Sequence, residues 1–512
     1  MMSIKTQAAK NVGSGWLSLL VHLAVGFFLS PFILHRLGDD AFGLWVLILS
    51  LTGYYGLLDF GIRSSIVRYV ARFNATRDED QLARFFNTTM ATYTIVAVLV
   101  LLITGVGCFY LDVLFRIPPQ FLRTARLLFL IMGAEFALSF PLSVFPGVLQ
   151  GLQKFSWQNL TQIAYTLARG LAIVIGLERG GGLLTLAAIV VATDVLGHGV
   201  FVWMMYRIRP LPLSLRLVDP KTFRQMLAYS SAAFLILVAE KLRFQSDAVV
   251  IGIFLSPAAI TYFSIGLKLA EYPTNILQSL AEIFTPISSH LDATGDLGRL
   301  RKLFLDGNRA CAMTIFPLSA ILIVLGKSII EVWVGAKYLS SYSILLLLII
   351  PKTLYLAQAT STKVLLGMGR HQTLAWVLLG EGGANLILSV VLLRHWGIVG
   401  VALGTAIPLA CTSLFFLPRH LCRLLEIPLG TFLGRAYRLP LALSAPLLVV
   451  LVFVKQLFHA HGYGGLFLQV ASGGIVYSLG LLWWFLTREP SGVELRARFA
   501  QIRCHAKAFP DR

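Results

Sequence analysis

The stretch FNTTMATYTIVAVLVLLITGVGCFYL, residues 86–111, contains no charged side chain and is long enough to cross a membrane as one helix. The whole 512-residue chain is 57% hydrophobic and only 13% charged, whereas soluble domains carry about 25% charged residues. Apolar segments of about 20 residues or more lie near residues 12–34, 42–62, 86–111, 121–147, 158–177, 183–206, 228–255, 257–285, 310–334, 341–366, 372–393, 397–418, 439–457 and 464–487. The sequence therefore predicts an all-α polytopic membrane protein with about 14 transmembrane helices.

The basic residues are distributed unevenly over the connections between these segments. When alternate connections are assigned to opposite sides, the side with both tails carries 28 Lys and Arg residues and the other side carries seven. Cytoplasmic loops of membrane proteins are rich in Lys and Arg, so both termini are predicted to be cytoplasmic. The net charge of +19 is then a topology signal, and no nucleic-acid partner is expected. The first apolar segment is too long for a removable signal peptide and is expected to stay.

Three pairs of connections resemble each other at nearly the same spacing. VLQGLQKF, residues 148–155, aligns with VLLGMGRH, residues 364–371, at an offset of 216. DEDQLARFF, residues 78–86, aligns with DLGRLRKLF, residues 296–304, at nearly the same offset, and the turn at Gly180–Gly182 aligns with Gly397. Internal repeats of this kind indicate duplicated structural units.

The repeat predicts two six-helix lobes of the same orientation. The predicted divisions are an N-terminal lobe at 1–210, a C-terminal lobe at 220–418, two additional helices at 439–487 and a basic cytoplasmic tail at 488–512. Parallel repeats are typical of transporters, in which the substrate site lies near the membrane midplane between the halves.

Several predicted membrane helices carry charges at a similar depth. In LVAEKLRFQSDAVVIGIF, residues 237–254, the side chains of Glu240, Arg243 and Asp247 fall within about 60° of arc, with Lys241 to one side. Each such charge costs roughly 2.5–3.5 kcal/mol near the bilayer centre, so this helix should not face lipid all round. At a rise of about 1.5 Å per residue, the other mid-span ionisable residues are Glu135, Arg169, Asp194, Lys268 and Glu381.

The eighth predicted helix, in YFSIGLKLAEYPTNILQSLAEIF, has a polar stripe within about 80° of arc. The stripe consists of Ser264, Lys268, Glu271, Asn275, Gln278 and Glu282, and a similar face on the fifth helix consists of Asn159, Gln162, Thr166 and Arg169. Intramembrane polar stripes line water or a polar partner, which favours a transport pathway. The alternative is that the charges form ion pairs that tie helices together, such as Glu240 with Arg243 or Lys268 with Glu271.

The sequence motifs do not indicate an enzyme. The chain lacks HExxH, GxxxxGK[ST] and GxGxxG, and no metal-ligand spacing occurs. The five cysteines are scattered without a CxxC pair. We therefore expect a protein that is not an enzyme and has no cofactor, although coupling to H⁺ or Na⁺ is open.

The segment LGDDAFGLWVLILSLTGYYGLLDFGIRSSIVRYVARF, residues 37–73, resembles the polysaccharide flippases, which belong with multidrug and toxic-compound extrusion proteins and lipid II flippases to one exporter superfamily. The shared pattern is Leu-Gly followed by Phe-Gly, then Leu-Asp-x-Gly at residues 58–61 and a basic run with Arg63, Arg68 and Arg72. TYFSIGLKLAEYPTNILQSLAEIFTPISSHL, residues 261–291, is similar to the eighth helix of the family.

The resemblance implies a V-shaped fold like that of the multidrug extrusion (MATE) proteins, alternating between inward-open and outward-open states. It also implies that the cargo is an undecaprenyl-diphosphate-linked oligosaccharide, flipped across the bacterial inner membrane for O-antigen, lipopolysaccharide or exopolysaccharide synthesis. The expected partners are this lipid-linked oligosaccharide, membrane lipids and other polysaccharide assembly proteins. A diphosphate and its sugars need a polar, cationic path through about 30 Å of hydrocarbon.

These requirements select the candidate site residues. The residues predicted to bind substrate are Arg169, Arg243 and Lys268 for the diphosphate and Asn159, Gln162, Asn275, Gln278 and Tyr272 for the sugars. The candidate ion-coupling residues are Glu135, Asp194, Glu240, Glu271 and Glu381.

Two other functions have requirements that can be compared with this sequence. A drug or small-cation antiporter of the same superfamily would need a lone acidic site without Arg and Lys on the same face, which the eighth helix contradicts. A membrane-embedded glycan polymerase or ligase usually has a large outer loop, and no predicted outer turn exceeds about a dozen residues. Both remain alternatives to the flippase.

Overall fold

The computed structural model describes residues 4–458 and 462–488, and within these ranges the chain is helical without a β-strand. The first eight α-helices are α1 (Ile4–Leu37), α2 (Asp39–Gly53), α3 (Ile62–Thr76), α4 (Glu79–Leu114), α5 (Pro119–Leu142), α6 (Val144–Gly151), α7 (Phe155–Glu178) and α8 (Leu183–Ile208). The helices that follow are α9 (Pro220–Phe244), α10 (Ser246–Phe254), α11 (Pro257–Ala281), α12 (Phe284–Ala293), α13 (Leu297–Trp333), α14 (Ser341–Leu356), α15 (Ala359–Gly367), α16 (His371–Cys411), α17 (Leu417–Leu424), α18 (Leu429–Leu457) and α19 (Gly462–Arg488). Beyond Arg488, the predicted basic tail lies outside the described residues.

The helices fit the predicted membrane spans. Within the described ranges, ten are long and apolar enough to cross a membrane by length and composition, or up to eleven if α14 and α15, bent by 45° at their junction, form one span. One of the ten, at His371–Leu424, is 54 residues long and covers two predicted spans. The two remaining predicted spans fall on α9, α10 and α11, which carry the intramembrane charges. The all-α polytopic membrane class is confirmed, and a total of 14 spans is consistent with these helices.

Helix α16 is a hairpin of two arms. Gly397 has φ 54° and ψ −135°, a conformation that side chains with a Cβ rarely adopt, and it breaks the helix between the two predicted spans. Beyond this turn the chain returns alongside itself, since the Ser389 hydroxyl donates to the Val401 carbonyl at 3.4 Å. A Cβ at Gly404 would lie 2.5 Å from the Ser389 nitrogen. The two arms therefore pack backbone to backbone.

Substitution of Gly404 by alanine is expected to destabilise the protein by about 1–3 kcal/mol, because the added methyl group must push the two arms apart. Thermal unfolding of the purified protein in detergent measures this change. The matched control is Gly383→Ala in the same helix, where a Cβ meets nothing within 4 Å. The control should be neutral or stabilising by up to about 1 kcal/mol. Equal melting temperatures for the two variants would contradict the close packing.

The aligned segments of the sequence repeat have the same local structure. Asp78 precedes α4 and accepts a hydrogen bond from the Gln81 amide at 3.1 Å. Asp296 precedes α13 and accepts one from the Arg299 amide at 3.0 Å. Both carboxylates cap a helix N-terminus and satisfy an amide that would otherwise lack a partner. The alignment at residues 78 and 296 is thus also a structural one.

The aligned glycines make equivalent contacts as well. A Cβ on Gly151, which ends α6, would lie 2.7 Å from the Val70 side chain of α3. A Cβ on Gly367, which ends α15, would lie 2.9 Å from the Ser289 nitrogen of α12. In each case a glycine lets a short helix approach the helix that precedes a long membrane span. The aligned glycines therefore have the same role in packing.

Backbone contacts group the chain into two units. The first contains Met1–Lys268 and Met368–Thr412, and the second contains Leu269–Gly367 and Ser413–Arg512. In the first unit, α9 contacts the N-terminal helices through the rings of Phe60 and Phe234, whose centres are 5.3 Å apart. The predicted lobes at 1–210 and 220–418 follow a different boundary, and this division stays a prediction.

Candidate functional site

A polar cavity of about 530 Å³ lies within the first unit, between α3, α5, α6, α7 and α8. Helix α7 supplies one wall through Gln158, Asn159, Gln162, Tyr165 and Arg169. Apart from the adjacent Gln158 and Asn159, these positions are three or four residues apart, so they lie on one face of the helix. The amphipathic pattern read from the fifth predicted helix thus faces this cavity.

Three other helices complete the charged walls. Helix α8 contributes Asp194 and His198, one turn apart, while α5 contributes Glu135 and α3 contributes Arg63. The cavity therefore contains two guanidinium groups, two carboxyl groups and an imidazole. Such a mixture can bind a substrate that carries both negative charge and hydroxyl groups.

The Arg169–Asp194 ion pair is the centre of this arrangement. The guanidinium of Arg169 donates to the Asp194 carboxylate, and its Nε donates to the Thr193 hydroxyl at 2.9 Å. The guanidinium also lies over the Tyr165 ring, 5.3 Å from its centre. The side chains of the pair are 26% and 24% exposed. The pair is therefore held in place by neighbours but remains accessible from the cavity.

The amide side chains of α7 are anchored to neighbouring helices. Asn159 donates from Nδ2 to the Ser14 hydroxyl of α1 at 3.0 Å. Gln158 is buried and donates from Nε2 to the Pro146 carbonyl of α6 at 3.4 Å. These contacts fix the polar wall before any ligand binds, which lowers the entropic cost of binding.

Arg63 is positioned by the Leu-Asp-x-Gly motif. Phe60 and Gly61 have φ angles of 49° and 74°, so the chain makes a left-handed turn immediately before α3. The Asp59 carboxylate accepts a hydrogen bond from the Tyr93 hydroxyl of α4, which fixes the turn. Because α3 starts at this turn, its second residue, Arg63, lies at the cavity wall.

Glu135 and His198 add two groups that can exchange protons. Glu135 lies close enough to Asp194 and Arg169 to interact electrostatically with both. The Nδ1 atom of His198 is buried and has no hydrogen-bond partner among the residues that the structure describes. A buried polar atom of this kind is costly unless it is satisfied by a ligand or water.

Arg243, a predicted diphosphate ligand, is placed outside this cavity. It forms an ion pair with Glu381 of α16, and both side chains are only 2% exposed. The network continues through Asn385, which donates to the Arg243 carbonyl at 2.9 Å, and through Thr405, which donates to Asp247 at 3.0 Å. The shared face of Arg243 and Asp247 therefore packs against α16, and the role of Arg243 in binding stays a prediction.

Lys268 is also away from the polar cavity. Its Nζ donates to the Ser30 hydroxyl of α1 at 2.9 Å and lies 5.4 Å from the centre of the Phe42 ring of α2. This arrangement differs from the alternative pairing of Lys268 with Glu271. It ties α11 to the first two helices in the first unit.

The remaining predicted residues do not line the polar cavity. Asn275, Gln278 and Glu240 are exposed, whereas Glu271 and Tyr272 are half-buried. Of the 13 predicted site residues, the structure brings five together in the cavity. These five are Glu135, Asn159, Gln162, Arg169 and Asp194.

Several residues of the cavity were missed in the sequence. Among them are Arg63, Gln158, Tyr165 and His198. Gln158 and Tyr165 continue the polar face of α7, and His198 lies four residues after Asp194 on α8, so helical spacing could have found them. Thr166, which the sequence places on this face, is buried and does not line the cavity, whereas the preceding residue, Tyr165, does.

A protein-family model described as "Polysaccharide biosynthesis protein" matches residues 33–343, more than half of the chain. The chain belongs to this family. The predicted resemblance to the polysaccharide flippases of the exporter superfamily is thereby confirmed. The match includes the Leu-Asp-x-Gly turn and every residue of the polar cavity.

Two curated relatives of this polysaccharide biosynthesis protein are similar over most of their length. The uncharacterized membrane protein EpsK of Bacillus subtilis is 20% identical over 426 residues, covering 81% of this chain and 83% of EpsK. The probable flippase AglR of Haloferax volcanii is 20% identical over 402 residues, covering 76% of this chain and 78% of AglR.

Solved structures share the fold of this family member. The lipid II flippase MurJ in an inward closed conformation superposes with a TM-score of 0.71 at 15% identity, covering 92% of this chain and 98% of MurJ. An inward-facing multidrug transporter of the MATE family superposes with a TM-score of 0.69 at 14% identity, covering 80% of this chain and 95% of the transporter. The predicted MATE-like fold is confirmed.

Proposed function

We propose that this protein flips a diphosphate-linked oligosaccharide, carried on a polyprenyl lipid, across the bacterial inner membrane. The observation that carries the proposal is the polar cavity, where Arg63 and Arg169 lie among amide side chains in a membrane-embedded helical protein. A volume of about 530 Å³ is in the range of sites that enclose a small polar molecule. The family membership supports a role in polysaccharide synthesis.

The charges in the cavity suit a diphosphate. Guanidinium groups form paired, charge-assisted hydrogen bonds with phosphate oxygens, and Arg169 is held in a fixed orientation by Thr193 and Tyr165. Asp194 balances part of the charge of Arg169 when the cavity is empty. A bound phosphate would compete with this carboxylate, so binding and release are both feasible on one arginine.

The uncharged groups of the cavity suit sugars. Asn159 and Gln162 offer amide donors and acceptors that match hydroxyl groups in both roles. Tyr165 offers an aromatic ring beside them. The polyprenyl chain needs no cavity, because it is soluble in the hydrocarbon core throughout the movement.

We assign the coupling of transport to an ion gradient to Glu135 and Asp194, which face the same cavity as the two arginines. Protonation or sodium binding at these carboxyl groups would change the net charge around the phosphate. The proposal keeps both termini in the cytoplasm, from the distribution of basic residues, and takes O-antigen, lipopolysaccharide or exopolysaccharide as the glycan class.

Other residues remain candidates for the same pathway without lining the polar cavity. For substrate binding they are Arg243, Lys268, Tyr272, Asn275 and Gln278, and for ion coupling they are Glu240, Glu271 and Glu381. We give them lower priority than the residues that the cavity brings together.

A translocation assay on a variant whose cavity is filled by a larger side chain tests the proposed function. The full-length protein is reconstituted in liposomes with a fluorescent polyprenyl-diphosphate oligosaccharide, and the label that reaches the opposite leaflet is measured. Gln162→Trp places an indole in the cavity and should reduce translocation at least tenfold. Leu160→Trp is the matched control, since Leu160 is on the same helix and 57% exposed outside the cavity.

Two results would count against the proposal. Translocation by Gln162→Trp at the rate of Leu160→Trp would remove the cavity from the pathway. Absence of translocation by the folded wild type, together with uptake of a cationic drug under an ion gradient, would favour the antiporter instead.

A further inference from the structure

A second pocket lies at one end of the second unit, where α13, α14 and α18 meet. Its volume is about 600 Å³, and its wall includes Val324, Tyr342, Val452 and Lys455. In the predicted topology this end of the helices is on the outer side of the membrane. The pocket shares no residue with the polar cavity, so the inference does not rest on the proposed function.

Two lysines lie in or beside this pocket. Lys455, in the last turn of α18, lines it, and Lys327 on α13 lies beside the ring of Tyr342, which is also part of the wall. No ion pair among the described residues includes either lysine. The outer connections carry only seven basic residues in the predicted topology, so a pair of lysines here is not part of a general basic surface. Two like charges at one pocket are stabilised by an anion between them.

Two side chains of the pocket wall are held by hydrogen bonds to α13. The Nζ of Lys455 donates to the Val324 carbonyl at 2.7 Å, and the Tyr342 hydroxyl donates to the adjacent Ile323 carbonyl at 2.6 Å. Both side chains are thus fixed to successive residues of α13. An ammonium group has three donors, so Lys455 keeps two for a ligand after this contact.

Lys327 is oriented by an aromatic ring. Its Nζ lies 5.5 Å from the centre of the Tyr342 ring. The ring can lie this close to α13 because Gly326 has no side chain; a Cβ there would be 2.7 Å from Tyr342 Cε2. The cation–π contact holds the ammonium near the pocket without neutralising its charge.

The surface next to the pocket is apolar and points outward. On α18, Val449 is 69% exposed and Phe453 is 59% exposed, one turn apart. In a membrane-spanning helix such side chains contact lipid tails. A ligand that combines a phosphate with a hydrocarbon chain can therefore place its phosphate at the lysines and its chain along this face.

We propose that this outer pocket, lined by Tyr342, Val452 and Lys455 with Lys327 beside it, binds a phosphate group presented by a lipid of the outer leaflet. The additional helix α18 then has a defined role, because it supplies Lys455 and the apolar face beside it. Free phosphate shares the headgroup chemistry but cannot use the apolar face.

Native mass spectrometry of the full-length protein tests this site. The protein is purified in a phosphate-free maltoside detergent and titrated with phosphatidylglycerol in one series and with inorganic phosphate in another. A variant with Lys327→Gln and Lys455→Gln keeps a donor for the Val324 carbonyl but loses both charges. We expect it to bind phosphatidylglycerol about thirtyfold more weakly than the wild type, from two lysine–phosphate contacts.

The control is Lys337→Gln, which removes a lysine from the same end of the unit but outside the pocket. It should bind phosphatidylglycerol like the wild type. A second variant, Val449→Asn with Phe453→Asn, should weaken lipid binding and leave phosphate binding unchanged.

Two outcomes would contradict the inference. Equal phosphatidylglycerol affinity of the double lysine variant and Lys337→Gln would remove the pocket as a site. If binding of inorganic phosphate requires both lysines and binding of phosphatidylglycerol does not, the ligand of the pocket is free phosphate. Thermal unfolding of the unliganded variants, which should match that of the wild type, identifies any loss of binding that is due to misfolding.

Discussion

Replacement of Arg243 by alanine is expected to lower the free energy of unfolding by about 3–5 kcal/mol. Arg243 and Glu381 form an ion pair with both side chains 2% exposed. Removal of the arginine leaves a buried carboxylate without its partner, which costs far more than the loss of a surface pair. Thermal or denaturant unfolding in detergent should show the change directly.

The double variant Arg243→Met with Glu381→Leu provides the decisive comparison. Replacement of a buried pair by apolar side chains of similar size is often neutral, so the double variant should recover most of the lost stability. The surface pair of Arg126 and Asp112, joined at 3.1 Å and about 40% exposed, serves as a control, and Arg126→Ala should cost less than about 1 kcal/mol. Unfolding of Arg243→Ala at the wild-type temperature would show that the pair contributes little.

The same double variant also tests the predicted role of Arg243 in binding. If the arginine acts only in packing, the rescued protein should translocate its substrate at a rate close to that of the wild type. A stable double variant without transport would return the Arg243–Glu381 pair to the transport pathway, and Glu381→Gln alone would then show which of the two residues is needed.

Replacement of Arg169 by alanine is expected to reduce translocation of a lipid-linked oligosaccharide about 10- to 100-fold. The guanidinium is oriented by Thr193, Tyr165 and Asp194 and faces the polar cavity. Its loss removes a charge-assisted hydrogen bond to phosphate. Initial rates of leaflet exchange in proteoliposomes measure this effect, with the reconstituted amount of each variant matched.

A second substitution separates binding from structure. Arg169→Ala leaves Asp194 without its cation, whereas Arg169→Ala combined with Asp194→Ala removes both charges. If Arg169 binds the diphosphate, the double variant should be stable and less active than Asp194→Ala alone, which measures the loss of the proposed ion-coupling carboxylate. Recovery of transport in the double variant would mean that the arginine only neutralises Asp194.

The fold followed from the sequence because hydropathy is a local property. Spans such as residues 86–111 must be helical in lipid whatever their neighbours are, since every backbone polar group has to be satisfied within the segment. The repeat was equally readable, because the capping roles of Asp78 and Asp296 depend only on the residues that follow them. The position of a turn can also be local information, because the single residue Gly397 separates the two spans of α16.

The candidate site was predicted in part. Arg169, Gln162 and Asn159 were found because their spacing places them on one face of a single helix. Arg243 was grouped with them because it lies at a similar depth, but depth along a helix says nothing about the direction in which a side chain points. That direction depends on the packing of α9 against α16, where a Cβ on Gly382 would be 3.0 Å from Leu242 Cβ.

Other parts of the site required the tertiary structure. Arg63 reaches the cavity only because Phe60 and Gly61 make a left-handed turn before α3. His198 lies one turn from Asp194 on α8, but Arg63, Glu135 and the α7 residues that share the cavity with it come from other helices. Contacts between helices distant in the chain carry no periodic signal, so no pattern within one segment could reveal them.

The offset of 216 residues that aligns Gly151 with Gly367 also aligns Arg169 with Asn385. Arg169 is about a quarter exposed beside an open cavity, whereas Asn385 is 1% exposed and donates to a backbone carbonyl. Corresponding positions of the duplicated segments thus have different chemistry, a charged accessible group in one and a neutral buried group in the other. In the predicted repeat, one position therefore faces a cavity that can admit a ligand, while the corresponding position holds α16 against α9.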